Sequence, residues 1–151
     1  MKPPHAILLV EDNPADVKIT QRALRESAFP VELLVVRDGE EAVEYLLRQG
    51  PHAGDPVWRS PDLILLDLNL PKLNGLQVLQ RIRSTPQLHN VPVVVLTTSK
   101  RQEDIQQTYA AGANTYIQKP AEYPRYRDLV MTLRQYWHET ALRPPRHRPI
   151  P

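Results

Sequence analysis

The chain has 151 residues and no cysteine, which excludes disulfides and thiolate metal centres while leaving enough length for one domain with a proper core. A formal charge of +2 is too small to point to nucleic acid. No apolar run is long enough to span a bilayer and no signal-peptide pattern opens the chain, so a soluble, cytoplasmic domain is expected.

Residues 1–5 form a short leader, and residues 6–10 are an unbroken apolar run that stops at Glu11 and Asp12. Such a run suits a strand buried on both faces of a parallel sheet. Asn13 reads as an N-cap before Pro14, and Asp16 lies in the first turn of a helix reaching about Ser27. That helix buries Val17, Ala23 and Leu24 and is broken by Phe29-Pro30. Residues 31–36 are the second strand. Asp38 with Glu41 has the capping-box pattern and opens a helix with Ala42, Val43, Leu46 and Leu47 on one face. Residues 49–60 are a loop containing Trp58, read as an insertion that this ring covers. The third strand, residues 63–66, stops at Asp67, and Asn69, Pro71, Asn74 and Gly75 supply turn chemistry after it. A helix over 75–83 buries Val78, Leu79 and Ile82. Residues 91–99 are a fourth strand ending in hydroxyls. Ser99 with Gln102 then suggests a capped helix that turns Ile105 and Tyr109 inward and closes at Gly112. A short fifth strand over 114–117 precedes Lys119-Pro120. The last helix, over 123–139, places Tyr126, Leu129, Val130, Leu133 and Trp137 on one stripe.

The alternation of strand and helix predicts an α/β fold: a doubly wound, five-stranded parallel sheet with five helices. Residues 1–140 make the single domain, and 141–151 a Pro/Arg-rich tail expected to be disordered. The strand ends lie on one edge of such a sheet, where ligands bind. An Asp at one strand end can be a simple loop cap, but here Glu11, Asp12, Asp67, Thr97 and Lys119 converge. Converging carboxylates repel one another, and a hard divalent cation such as Mg²⁺ relieves that repulsion. Asp67 could then attack phosphorus as a nucleophile, with Lys119 and the Thr97 hydroxyl serving phosphoryl oxygens.

With those residues in place, the chain resembles a response-regulator receiver domain along nearly its whole length. The acidic pair appears as Glu11-Asp12, the phosphoacceptor as Asp67, the switch hydroxyl as Thr97 and the lysine as Lys119; Leu70-Pro71 and Gly75 match the loop after the acceptor. The resemblance implies a flavodoxin-like receiver fold, with Mg²⁺ held by the Asp12 and Asp67 carboxylates and the Asn69 backbone carbonyl, and Glu11 acting through bound water. It also implies that Tyr116 is a switch aromatic that rotates inward with Thr97, and that a cis peptide often joins Lys119 to Pro120. Thr98 is larger than the residue common at its position, which would tighten phosphoryl access. The phrases around Asp67, Thr97 and Lys119 are similar to single-domain regulators paired with bacterial phytochrome histidine kinases. The implied partner is therefore a sensor histidine kinase, such as a bacteriophytochrome, or a phosphotransfer protein, with no DNA-binding domain and no membrane.

On this reading the protein is a signalling switch and not a turnover enzyme. The alternative is an aspartyl-phosphate phosphohydrolase on the same fold, but that chemistry wants a carboxylate two residues after the nucleophile, where Asn69 stands. Aromatic residues crowd the final third of the chain. Tyr109, Tyr116, Tyr123 and Tyr126 are accordingly expected to form an interface through which the protein makes a homodimer.

Overall fold

Strand β1 (His5–Val10) lies inside a wholly parallel sheet, flanked by the edge strand β2 (Val31–Val36) and the central strand β3 (Leu63–Leu66). Beyond β3 follow β4 (Val93–Thr97) and β5 (Thr115–Gln118), giving the order β2-β1-β3-β4-β5. These relationships come from a computed structural model, which describes residues 5–28, 30–142 and 144. The leader residues 1–4, Phe29, Arg143 and the tail residues 145–151 lie outside the described residues, so the expected disorder of the tail is not addressed by them. Among the described residues no helix is long and apolar enough to cross a membrane.

The two periodicities of a doubly wound fold are visible in the core. Leu8, Val10, Ile64, Leu66, Val93 and Val95 face one side, against α2 (Gly39–Leu46) and α3 (Gly75–Ser84). Ile7, Leu9, Leu63, Leu65, Val94 and Leu96 face the other, against α1 (Pro14–Glu26) and α5 (Tyr123–Leu133). Strands apolar on both sides belong in the middle of such a sandwich, which is why β1, β3 and β4 read as continuous aliphatic runs. Side-chain caps set the helix starts. Asn13 Oδ1 accepts from Ala15 N at 2.9 Å, Asp38 Oδ1 from Glu41 N at 2.8 Å, and Asn74 forms a full capping box with Gln77. At α2 the returning Glu41 carboxylate accepts from Arg37 N at 3.2 Å, so that box is displaced by one residue.

Three stretches depart from the sequence reading. First, α4 (Gln102–Ala110) has Arg101 and not Ser99 as its cap residue, and Thr108 is its buried residue. Tyr109 is 47 % exposed and Ile105 is half-buried, so neither is turned fully inward. Second, α5 gives way after Leu133 to a π-helical stretch, Arg134–Thr140, through which Trp137 packs on the α1/α5 core and His138 reaches His5 at 3.0 Å. Third, no cis peptide occurs among the described residues, so Lys119 and Pro120 are joined in trans. The loop after α2 behaves as expected. Trp58 packs on Tyr45 with ring centroids 5.7 Å apart and donates from Nε1 to Tyr45 O at 2.9 Å.

Candidate functional site

Parallel register puts the carboxyl ends of β1 and β3 side by side, with Val10 opposite Leu66, so the next residues, Glu11 and Asp67, emerge together. The backbone fixes both: Glu11 N donates to Val36 O at 3.0 Å, and Asp67 N donates to Val10 O at 3.1 Å. Both side chains are buried, whereas Asp12 is exposed. Below Asp67 the chain passes so close to α3 that a Cβ on Gly75 would stand 2.3 Å from Asp67 O. Glycine is required there for the loop to fold back under the acceptor.

Asp67 uses its two oxygens differently. Oδ1 accepts from Asn69 N at 3.1 Å and Oδ2 accepts from Lys119 Nζ at 2.8 Å. Lys119 is delivered by β5, with its N donating to Thr97 O at 2.7 Å, and its ammonium also bonds Glu11 Oε1 and Asp16 Oδ2, the latter at 2.9 Å. Burial by itself would lower the Lys119 pKa, but hydrogen bonds to Asp67, Glu11 and Asp16 outweigh it and hold the ammonium above its ordinary value. Burial pushes the Glu11 carboxyl up to about 7; the Lys119 hydrogen bond opposes this and the Asp67 charge adds to it.

Oxygen atoms of Glu11, Asp12 and Asp67 lie within 4.8 Å of one another, an all-oxygen set that suits a hard divalent cation. Asp12 and Asn69 also line a cleft of about 560 Å³ between the loop after β3 and α4. Thr97, the last residue of β4, is fully buried, and its Oγ1 has no hydrogen-bond partner among the described residues. A buried hydroxyl left without a partner is costly, and a ligand oxygen reaching it would remove that cost.

Sequence reasoning placed Glu11, Asp12, Asp67, Thr97 and Lys119 at one edge of the sheet, and the structure brings them there. It missed Asp16, which had been read as a first-turn helix acid. The available signal was its position one turn along a helix that begins at the strand ends, which points a side chain back over the sheet edge. The four tyrosines do not form one surface. Tyr126 is 4 % exposed and packs in the α1/α5 core, which removes it from any interface. Tyr123 is held against α1, where its hydroxyl donates to Glu26 and Arg22 lies over its ring at 3.9 Å. Tyr109 and Tyr116 remain together: Tyr109 Oη accepts from Tyr116 N at 3.0 Å, and Tyr116 Oη donates to Ser99 O at 2.8 Å.

Known proteins match this arrangement closely. The response regulator receiver domain family matches residues 7–131. Response regulator Rcp1 of Synechocystis is 41% identical over 142 residues, which cover 94% of this chain and 95% of that one. A crystal structure of Rcp1 in its Mn²⁺-bound form superposes with a TM-score of 0.85 at 40% identity, covering 94% of this chain and 100% of that one. The phosphorylated cyanobacterial phytochrome response regulator RcpA superposes with a TM-score of 0.87 at 44% identity, covering 94% and 99%. The receiver domain of the sensor histidine kinase PA1611 of Pseudomonas aeruginosa, with magnesium coordinated in its active-site cleft, gives 0.69 at 31% identity, covering 89% and 97%. Five parallel strands, the acid cluster at their carboxyl edge and these relatives together place the chain in the response-regulator receiver family, which carries phosphorylation-based signals.

Proposed function

We propose that this protein accepts a phosphoryl group on Asp67 from a histidine kinase of the phytochrome-associated kind, or from a phosphotransfer protein, and signals through the changed surface. The observation that carries this reading is the Lys119 ammonium bonded to Asp67 and Glu11, beside a Thr97 hydroxyl that has no partner among the described residues. A carboxylate oxygen of Asp67 forms the new bond to phosphorus. The bond from phosphorus to the donor breaks, and its electron pair leaves with the donor. Lys119 balances charge on the phosphoryl oxygens, and Thr97 donates its hydroxyl proton to one of them. Glu11, Asp12, Asp67 and the Asn69 carbonyl would hold Mg²⁺, which when bound neutralises charge on the incoming phosphoryl oxygens. Placement in the cytoplasm accords with a histidine kinase donor. The phosphohydrolase alternative has no support, because Asn69 offers no carboxylate and the matched relatives are response regulators.

Acetyl phosphate with Mg²⁺, read by intact mass, tests the reading. Wild type gains one phosphoryl group, and both Asp67→Asn and chelation of the metal abolish the gain. Labelling of Asp67→Asn at the wild-type rate would overturn the assignment.

Self-association through α4 and β5 is the second part of the proposal, supported by Tyr109 at 47 % exposure next to Tyr116. Sedimentation at micromolar concentration should give a dimer that Tyr109→Ala weakens. A monomer with and without phosphodonor would leave this face to a different partner.

A further inference from the structure

Lys119 carries three ammonium protons, and each is directed to a different carboxylate, on Glu11, Asp16 and Asp67. Two of those partners change their chemistry when the site works. On the receiver reading, Asp67 would become an acyl phosphate, and Glu11 would help to hold the cation. Asp16 does neither: it is absent from the acid cluster that fits a metal, and it projects from α1, not from a strand end. Its side chain is 28% exposed, while that of Lys119 is 7% exposed, so Asp16 approaches the ammonium from the solvent side. The turn that carries it is itself fixed. Asn13 caps it, Thr20 Oγ1 donates to Asp16 O at 2.9 Å, and Tyr126 Oη lies 2.7 Å from the same Thr20 oxygen. Thr20 has one hydroxyl proton and gives it to Asp16 O, so Tyr126 is the donor in the second bond. α5 thus pins the α1 turn from which Asp16 holds the lysine.

Resting on the receiver reading above, we propose that Asp16 is a positioning residue for phosphoryl transfer, the stationary anchor that keeps the Lys119 ammonium over the acceptor while Asp67 and Glu11 change partners. Without it, the long lysine side chain loses the one partner that persists through the cycle and samples other rotamers, so fewer encounters find the charge in place.

Two measurements test this. The first needs neither metal nor donor: the side-chain ammonium signal of Lys119 in a ¹H–¹⁵N correlation spectrum, assigned by its loss in Lys119→Arg. Wild type and Asp16→Asn, which keeps an oxygen acceptor, should show a slowly exchanging signal, and Asp16→Ala should lose it. The second is the rate of labelling by acetyl phosphate at saturating Mg²⁺. Asp16→Ala should label about tenfold more slowly, the scale seen when a partner that orients a ligand from behind is removed, with Asp16→Asn recovering most of the rate. An acid in the first turn also stabilises α1 through the helix dipole, so a folding effect must be separated from an effect through the lysine. In a Lys119→Ala background, where labelling is followed over longer times, Asp16→Ala should slow the reaction no further. The same fractional loss in both backgrounds, wild-type labelling by Asp16→Ala, or a protected ammonium in Asp16→Ala would each overturn the proposal. Absence of labelling in every protein, wild type included, would strike at the receiver reading and leave the ammonium result standing on its own.

Discussion

On the α1/α5 face, Val17, Thr20, Ala23 and Leu24 of one helix and Tyr126, Val130 and Leu133 of the other are buried, and the Thr20 hydroxyl is satisfied. The α4/β5 flank differs. α4 buries Thr108 alone, no residue of β5 is fully buried, and both Thr97 and Thr108 hold hydroxyls with no partner among the described residues. Glu11, Asp16 and Asp67 are mounted on the first region, through β1, α1 and β3. Thr97 and Tyr116 sit at the border of the second. Glu11, Asp16 and Asp67 thus stand on deeply packed elements, whereas Tyr116 lies on a flank whose lighter packing makes local rearrangement cheap.

The largest expected effect breaks or upholds that contrast directly. Tyr126→Ala removes a buried ring and its hydrogen bond to Thr20, and should cost about 3–5 kcal/mol in denaturant unfolding. Tyr109→Ala on α4 should cost only about 0.5–1.5 kcal/mol, since its ring is half in solvent and its main loss is the bond accepted from Tyr116 N. Comparable losses for the two would mean that the α4 flank is as firmly packed as the other.

What could be read from the chain follows the same division. Strands β1, β3 and β4 were legible because burial on both faces leaves an unbroken aliphatic signature, and the caps at Asn13, Asp38 and Asn74 because short polar side chains do that job locally. α4 was not legible. Its apolar pattern is too sparse to fix which side faces inward, and a polar residue, Thr108, takes the buried place expected of Ile105 and Tyr109. The acids at positions 11, 12 and 67 announced themselves by ending apolar runs, and Lys119 by following the fifth strand. Asp16 did not, because its contact with Lys119 spans 103 positions in sequence and depends on how a helix sits over the sheet edge. Counting aromatic residues toward an interface failed at Tyr126, since a tyrosine whose hydroxyl finds a partner is as much at home in a core as on a surface.

A smaller effect concerns the buried acid on the firm side. Burial raises Glu11 to about 7, so the folded, metal-free protein keeps this proton at pH values where the unfolded chain has lost it. This group therefore costs the metal-free protein stability as pH rises from the ordinary carboxylate range through about 7. Cation binding draws on the ionised form, so Mg²⁺ affinity should climb with pH below about 7, by at most about tenfold per unit for one proton released, and level off above it. Calorimetric titration in buffers of different ionisation enthalpy would count that proton. An affinity that is flat across the same range would show Glu11 ionised throughout.

The smallest structural change separates the two regions by a single hydroxyl in each. Thr20→Val removes an oxygen that donates to Asp16 O and accepts from Tyr126, leaving a buried phenol without its acceptor, and should cost about 1–3 kcal/mol. Thr108 is equally buried, at 1 % exposure, yet its Oγ1 bonds nothing among the described residues. Thr108→Val keeps the shape and discards a desolvated group, so its effect on stability should lie between neutral and a gain of about 1 kcal/mol. The two substitutions are chemically identical, which cancels the transfer of a methyl for a hydroxyl and leaves the surroundings as the difference. Unfolding midpoints measured under one set of conditions decide the matter. A cost at Thr108 equal to that at Thr20 would show that the α4 hydroxyl is engaged after all, and that this flank is held by polar bonds as well as by its one buried side chain.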